Sequence, residues 1–127
     1  MSAKDRARRA RFDYSGLERV FHEKARLGIL TALVAEPQGI AFNDLKELCD
    51  LTDGNLSRHL KTLAEAGLVV GERGPGEGRP QSIYELTREG RKRFLGYLAE
   101  LERVVADAAQ ARSVPGRRRP RPGGAGA

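Results

Sequence analysis

The stretch from Asp53 to Leu86 changes its apolar period once, and this change constrains the fold more than any other feature. Leu56, Leu60 and Leu63 recur at steps of four and three, the spacing of one helical face. Gly67 follows, the residue type that most readily ends a helix in a left-handed cap. Beyond it, Leu68-Val69-Val70-Gly71-Glu72-Arg73 and Gln81-Ser82-Ile83-Tyr84-Glu85-Leu86 read as extended chain. They flank Gly74-Pro75-Gly76-Glu77-Gly78-Arg79-Pro80, a hairpin loop. A helix that runs directly into a small hairpin is thus the centre of the chain.

Helical patterns lie on both sides. Leu17, Val20, Phe21, Leu27, Leu30, Leu33 and Val34 predict a first helix from about Ser15 to Glu36. Ser15 is its N-cap, Glu18 stands at the capping-box position, and Pro37 and Gly39 end it. Ile40-Ala41-Phe42 is at most a strand stub. Asn43 suits the N-cap of a short second helix with Leu45, Leu48 and Cys49 inward, and Asp50-Leu51-Thr52 is a tight turn. The third helix runs from about Asp53 to Ala66. Thr87 caps a last helix that continues to about Ala111, with a stripe of Phe94, Tyr97, Leu98, Leu101, Val104, Val105 and Ala108. The expected fold is mainly α with a small β-hairpin wing: a winged helix-turn-helix plus a long C-terminal dimerisation helix.

Charge divides the chain differently. The 127 residues carry a formal +6. Residues 1–11 hold five basic side chains and one acid, and residues 112–127 hold five basic side chains and no acid, so residues 12–111 carry a net −3. The expected organisation is a flexible basic arm over 1–13, one domain over 14–111, and a disordered Pro/Gly/Arg tail over 112–127. The basic N-terminus lacks an apolar segment, so it is not read as a secretory signal, and a cytoplasmic location is expected. No apolar run is long enough to span a bilayer, so no membrane partner is expected.

Two short helices joined by a tight turn form a unit whose second helix can enter a major groove. At 100° per residue, Leu56, Leu60, Leu63 and Gly67 fall on one side of the third helix. Gly54, Arg58, Lys61, Thr62 and Glu65 fall opposite, flanked by Asn55 and Ser57. The chemistry suits double-stranded DNA. Gly54 allows close approach, Asn55 can read adenine, Arg58 can read guanine with two bonds, and Ser57 and Thr62 can donate to phosphates. Arg73 and Arg79, beside and within the hairpin loop, suit minor-groove or phosphate contact.

At these residues the sequence resembles a known group. LTDGNLSRHLKTLAEAGLVVGERG, then RPQSIYELTREGRKRF, with VFHEKARLGILTAL before them, is similar to the winged helix-turn-helix transcriptional regulators of the MarR/ArsR-like type. The resemblance covers roughly residues 15–105. It implies a homodimeric, sequence-specific DNA-binding regulator, expected to be a repressor. By position, Asn55, Ser57, Arg58, Lys61 and Thr62 match the recognition helix and Arg79 the wing. Phe94, Leu98, Leu101 and Val105 are the expected dimerisation residues, with Phe12, Tyr14 and Leu17 packing across the partner.

Other chemistries find little support. Cys49 is the only cysteine and reads as packing, and His22 and His59 lack ligand spacing, so no metal and no cofactor are expected. No phosphate loop or nucleophile–base motif suggests an enzyme. A dimer of this size has room for a small-molecule effector, but no convergent polar cluster marks a pocket. The alternative function is a protein-interaction or assembly module whose tails bind nucleic acid loosely. The polar face of the third helix argues for DNA instead. Single-stranded RNA is disfavoured by the lack of aromatic stacking pairs.

Overall fold

In the computed structural model of the chain, the structure describes residues 10–73 and 82–113, with side chains over 10–72 and 82–111. A 3-10 turn at Arg19–Phe21 precedes α1 (Lys24–Ala35). Then come β1 (Ile40–Ala41), α2 (Phe42–Cys49), α3 (Asp53–Glu65), β2 (Val69–Arg73), β3 (Ser82–Leu86) and α4 (Arg88–Ser113). The three strands form an antiparallel sheet in the order β1-β3-β2, with Ile40 opposite Tyr84 and Val69 opposite Leu86. This is a helix-turn-helix followed by a two-stranded wing and a long helix.

The first helix is shorter than its apolar spacing predicts. Glu23 is extended at φ −146°, and its carboxylate accepts from the amides of Ala25 and Arg26, so it caps α1 in place of Ser15. The reason lies across the core. Phe21 is fully buried against the rings of Phe94 and Tyr97, with centroids 5.5 and 5.3 Å away. A continuous helix from Ser15 would carry Leu17, Val20 and Phe21 along the axis of α1, whereas here Phe21 packs on the α4 rings and Leu17 and Val20 against the core, in a segment separate from α1. The strand stub likewise displaces Asn43 as a cap. Ala41 pairs with Ile83 and hands the chain directly to Phe42, and no side chain caps α2.

Within α2, Leu45 is buried and Cys49 half-buried, but Leu48, read as inward, is 67% exposed. It stands at the rim of a groove shared with Leu27, Gly28 and Ala32 of α1. Asp50 ends α2 with φ +53°, a left-handed conformation that Asp tolerates, and turns the chain into α3. At the far end of α3, Gly67 (φ +77°) donates to the Ala64 carbonyl and the Leu68 amide to the Leu63 carbonyl, an ordered glycine stop.

The start of α4 sits on the strand entry. Thr87 Oγ1 accepts from the Gly90 amide (2.8 Å), and its hydroxyl donates to the Gly67 carbonyl (2.7 Å). A Cβ on Gly90 would collide with the Leu68 carbonyl oxygen, so α4 approaches this closely only because residue 90 has no side chain. Gly90→Ala should therefore destabilise the fold by about 1–3 kcal/mol through forced separation of α4 from Leu68. A lowered denaturant midpoint with an unchanged slope checks this.

Acid should act through Glu23. Burial alone would raise its carboxyl pKa, but the Ala25 and Arg26 amides, with His59 and Arg26 beside it, hold it below its ordinary value. A carboxyl depressed in the folded state stabilises fully above its unfolded pKa of about 4.3, and that contribution disappears as pH falls through the folded value. Glu23→Gln should therefore lower stability at neutral pH and flatten its decline as pH falls below about 5, measured by urea unfolding at a series of acid pH values.

Candidate nucleic-acid interface

The candidate surface is the outer face of α3. Leu56, Leu60 and Leu63 anchor its inner face in the core, each at or near zero exposure. Burial of each such side chain is worth roughly 1.5–3 kcal/mol, enough to fix which way the opposite face points. Thr52 Oγ1 caps the helix by accepting from the Asn55 amide (3.2 Å), and Lys46 of α2 pairs with Asp53 at 2.9 Å. The turn and first coil of α3 are thereby tied to α2.

Gly54, Asn55, Ser57, Arg58 and Lys61 all emerge on the exposed side, as the 100° spacing predicts. A Cβ on Gly54 would meet nothing within 4 Å, so nothing within the described structure requires glycine there. Arg58 Nη2 donates to Asn55 Oδ1 at 3.3 Å, joining the two candidate base-reading side chains one turn apart. Thr62 differs from its expected role. It is half-buried, and its hydroxyl donates back to the Arg58 carbonyl (3.1 Å), which occupies the hydrogen it would offer a phosphate.

His59 lies behind this face and is only 8% exposed. Arg26 Nε donates to His59 Nδ1 (3.4 Å), Glu23 Oε2 lies 3.7 Å from the same nitrogen, and Arg26 Nη1 reaches the Val20 carbonyl. A polar junction thus joins the cap of α1 to the middle of α3. Sequence spacing places His59 at the edge of the apolar stripe but carries no signal for Arg26 and Glu23 as its partners.

The wing is described only at its base. Arg73 closes β2 opposite Ser82, while Arg79 and the loop of residues 74–81 lie outside the described residues. Of the expected dimerisation residues, Phe94 is corrected. It is fully buried between Phe21 and Tyr97 within the protomer and presents nothing to a partner. Leu98 and Leu101 are half-buried and Val105 is 67% exposed. With Ala106 and Ala109 they line a shallow apolar groove along α4.

Tyr14 and Leu17, expected across a partner, pack within the protomer. The Tyr14 hydroxyl donates to Asp107 (2.8 Å), the Gly16 amide donates to Glu100 (3.2 Å), and Leu17 packs on the core. The Arg103 guanidinium lies 4.6 Å from the Tyr14 ring centroid and donates to the carbonyls of Arg11 and Asp13. Residues 10–13, placed by the sequence in the flexible arm, are therefore held along α4. The rest of the arm (1–9) and the tail beyond Ser113 lie outside the described residues.

The Cys49 thiol is half-buried, and burial raises its pKa, which disfavours the reactive thiolate. Among the described residues, no three His, Cys, Asp or Glu side chains are grouped so as to hold a metal ion, and no helix is long and apolar enough to cross a membrane.

Comparison with known proteins agrees with this geometry. An uncharacterised protein of Methanocaldococcus jannaschii is 40% identical over 83 residues, covering 65% of this chain and 89% of its own. A transcriptional regulator homologue from Pyrococcus horikoshii OT3 superimposes with a TM-score of 0.66 at 24% identity, over 82% of this chain and 97% of its own. The F27L mutant of MepR from S. aureus, solved bound to an oligodeoxyribonucleotide, gives 0.60 at 16% identity over 87% and 83%. These two solved structures share the fold. The model of the winged helix DNA-binding domain matches residues 25–105, from the start of α1 through both wing strands and most of α4, and the chain belongs to that family.

Proposed function

We propose that this chain is a transcriptional regulator that binds double-stranded DNA sequence-specifically as a homodimer, in the cytoplasm, and acts as a repressor. The observation that carries this reading is the two-sidedness of α3. Three buried leucines fix its orientation, and Gly54, Asn55, Ser57, Arg58 and Lys61 stand together on the free face. Those side chains offer the donors and acceptors that base edges and phosphates require. An apolar face there would favour a protein partner instead.

The body is net −3, so its long-range field does not draw it to DNA. The basic ends supply the attraction in this reading, and Arg73 and Arg79 add backbone or minor-groove contacts beside α3. The apolar groove of Leu98, Leu101 and Val105 is the face where a second copy packs. A dimer so formed sets two α3 helices in successive major grooves, about 34–36 Å apart. Occupancy of that stretch excludes other proteins, which makes repression the simplest outcome. The shared fold with MepR, solved with an oligodeoxyribonucleotide, supports DNA as the partner.

Selection of bound duplexes from random sequence tests the whole reading, and a palindromic motif is the expected result. Val105→Glu, which changes an exposed position and leaves the core intact, should yield a folded monomer with at least tenfold weaker operator binding. Sedimentation of wild type and variant at micromolar concentration decides it, and a wild-type monomer defeats the dimer. Removal of residues 1–9 and 114–127 should flatten the dependence of log affinity on log salt by about 0.9 for each phosphate no longer neutralised. The order of preferred sites should survive. An unchanged slope would show that the ends do not touch DNA.

A further inference from the structure

We infer that Asn55 positions Arg58 to read a single guanine, rather than reading a neighbouring adenine itself. The inference rests on the reading of α3 as the base-contacting helix and assigns the chemistry of its first turn.

Reading adenine directly would require Asn55 to present both amide groups to the base edge, Oδ1 accepting from N6 and Nδ2 donating to N7. In the structure, Oδ1 instead accepts from Nη2 of Arg58, one turn further along the helix (3.3 Å). The base of the Asn55 side chain is itself fixed, because its backbone amide donates to the Thr52 cap. Arg58 has five N–H donors, of which this bond uses one. The remaining Nη2 hydrogen and those on Nη1 are a pair suited to O6 and N7 of guanine. Thr62 holds the Arg58 carbonyl from the following turn, so Arg58 is tied at its backbone as well as its side chain.

Both members of this pair are exposed. Water competes for the same donors and acceptors, so the bond adds little to stability. Its effect is on order: a guanidinium already held in a reading orientation loses less side-chain freedom on docking. Asn55 is thus a positioning residue, and its remaining Nδ2 donors are left for the phosphate backbone. Gly54, where a Cβ would meet open space, leaves that backbone room to approach.

The test is base preference, measured by selection from random duplexes and by binding to every single-base variant of the selected site. Wild type should prefer one guanine per half-site, and Arg58→Ala should abolish that preference. Asn55→Ala should keep the same guanine but reduce discrimination there roughly 3–10-fold, the factor equivalent to ordering one long side chain. Asn55→Asp, which retains the accepting oxygen, should restore the guanine discrimination even as its charge weakens binding to all sequences. Thermal stability should be the same in all four proteins. The inference is overturned if Asn55→Ala leaves guanine discrimination unchanged and erases an adenine preference at a neighbouring position. It is equally overturned if Asn55→Asp behaves as Asn55→Ala. A wild type with no base preference at all would instead bring down α3 as the reading helix, and this inference with it.

Discussion

Three elements meet at the backbone of Gly67 and Leu68, and the geometry of the domain depends on that meeting. The positive φ of Gly67 stops α3, and the Leu68 amide closes the stop on the Leu63 carbonyl. The Leu68 carbonyl accepts from the Thr87 amide, and the side chain of Leu68 is fully buried. Thr87 in turn caps α4, whose Gly90 lies directly against the same carbonyl. The end of the reading helix, the root of the wing and the start of the long helix are therefore fixed by one small set of backbone contacts. A side chain at residue 90 or a lost left-handed turn at 67 would disturb all three at once.

From this point the reading face is held from behind. The leucines of α3 supply most of the stabilisation, since burial of apolar area outweighs exposed ion pairs such as Lys46–Asp53. The polar contacts have a different role. The Thr52 cap and the Lys46–Asp53 pair set the first turn of α3. The Glu23–Arg26–His59 junction ties its middle to the cap of α1. Because Glu23 belongs to the bend that carries Phe21 into the α4 aromatic cluster, and His22 bonds the Tyr97 hydroxyl, α3 and α4 are linked through the same short segment.

That segment shows where apolar spacing misleads. Leu17, Val20 and Phe21 continue the helical rhythm of Leu27, Leu30 and Leu33, yet they lie outside α1, and Phe21 turns onto the rings of Phe94 and Tyr97. Periodicity records that a residue is buried, not which neighbour buries it. Phe94 illustrates the same limit: its place on the stripe of α4 is right, but its ring is covered within the protomer rather than offered outward. Leu48 is the converse, an apolar residue left exposed on a short helix whose inward side is filled by Leu45, with Phe42 and Cys49 half-buried beside it.

Local chemistry alone determined the element order, the hairpin after α3, the caps at Thr87 and Gly67, and the separation of Gly54, Asn55, Ser57, Arg58 and Lys61 from the leucines. Each of these follows from period, propensity or a conformation that few residues adopt, all readable over a handful of neighbours. Only the tertiary structure decided that Glu23 rather than Ser15 begins α1, that Tyr14 and Arg103 hold residues 10–16 along α4, and that Arg26 reaches His59. These depend on groups 33 to 93 positions apart in the chain, such as Arg26 with His59 and Tyr14 with Asp107, meeting across a packed core. No local pattern encodes such pairings, because the free energy that selects them comes from the apolar surfaces that bring the elements together.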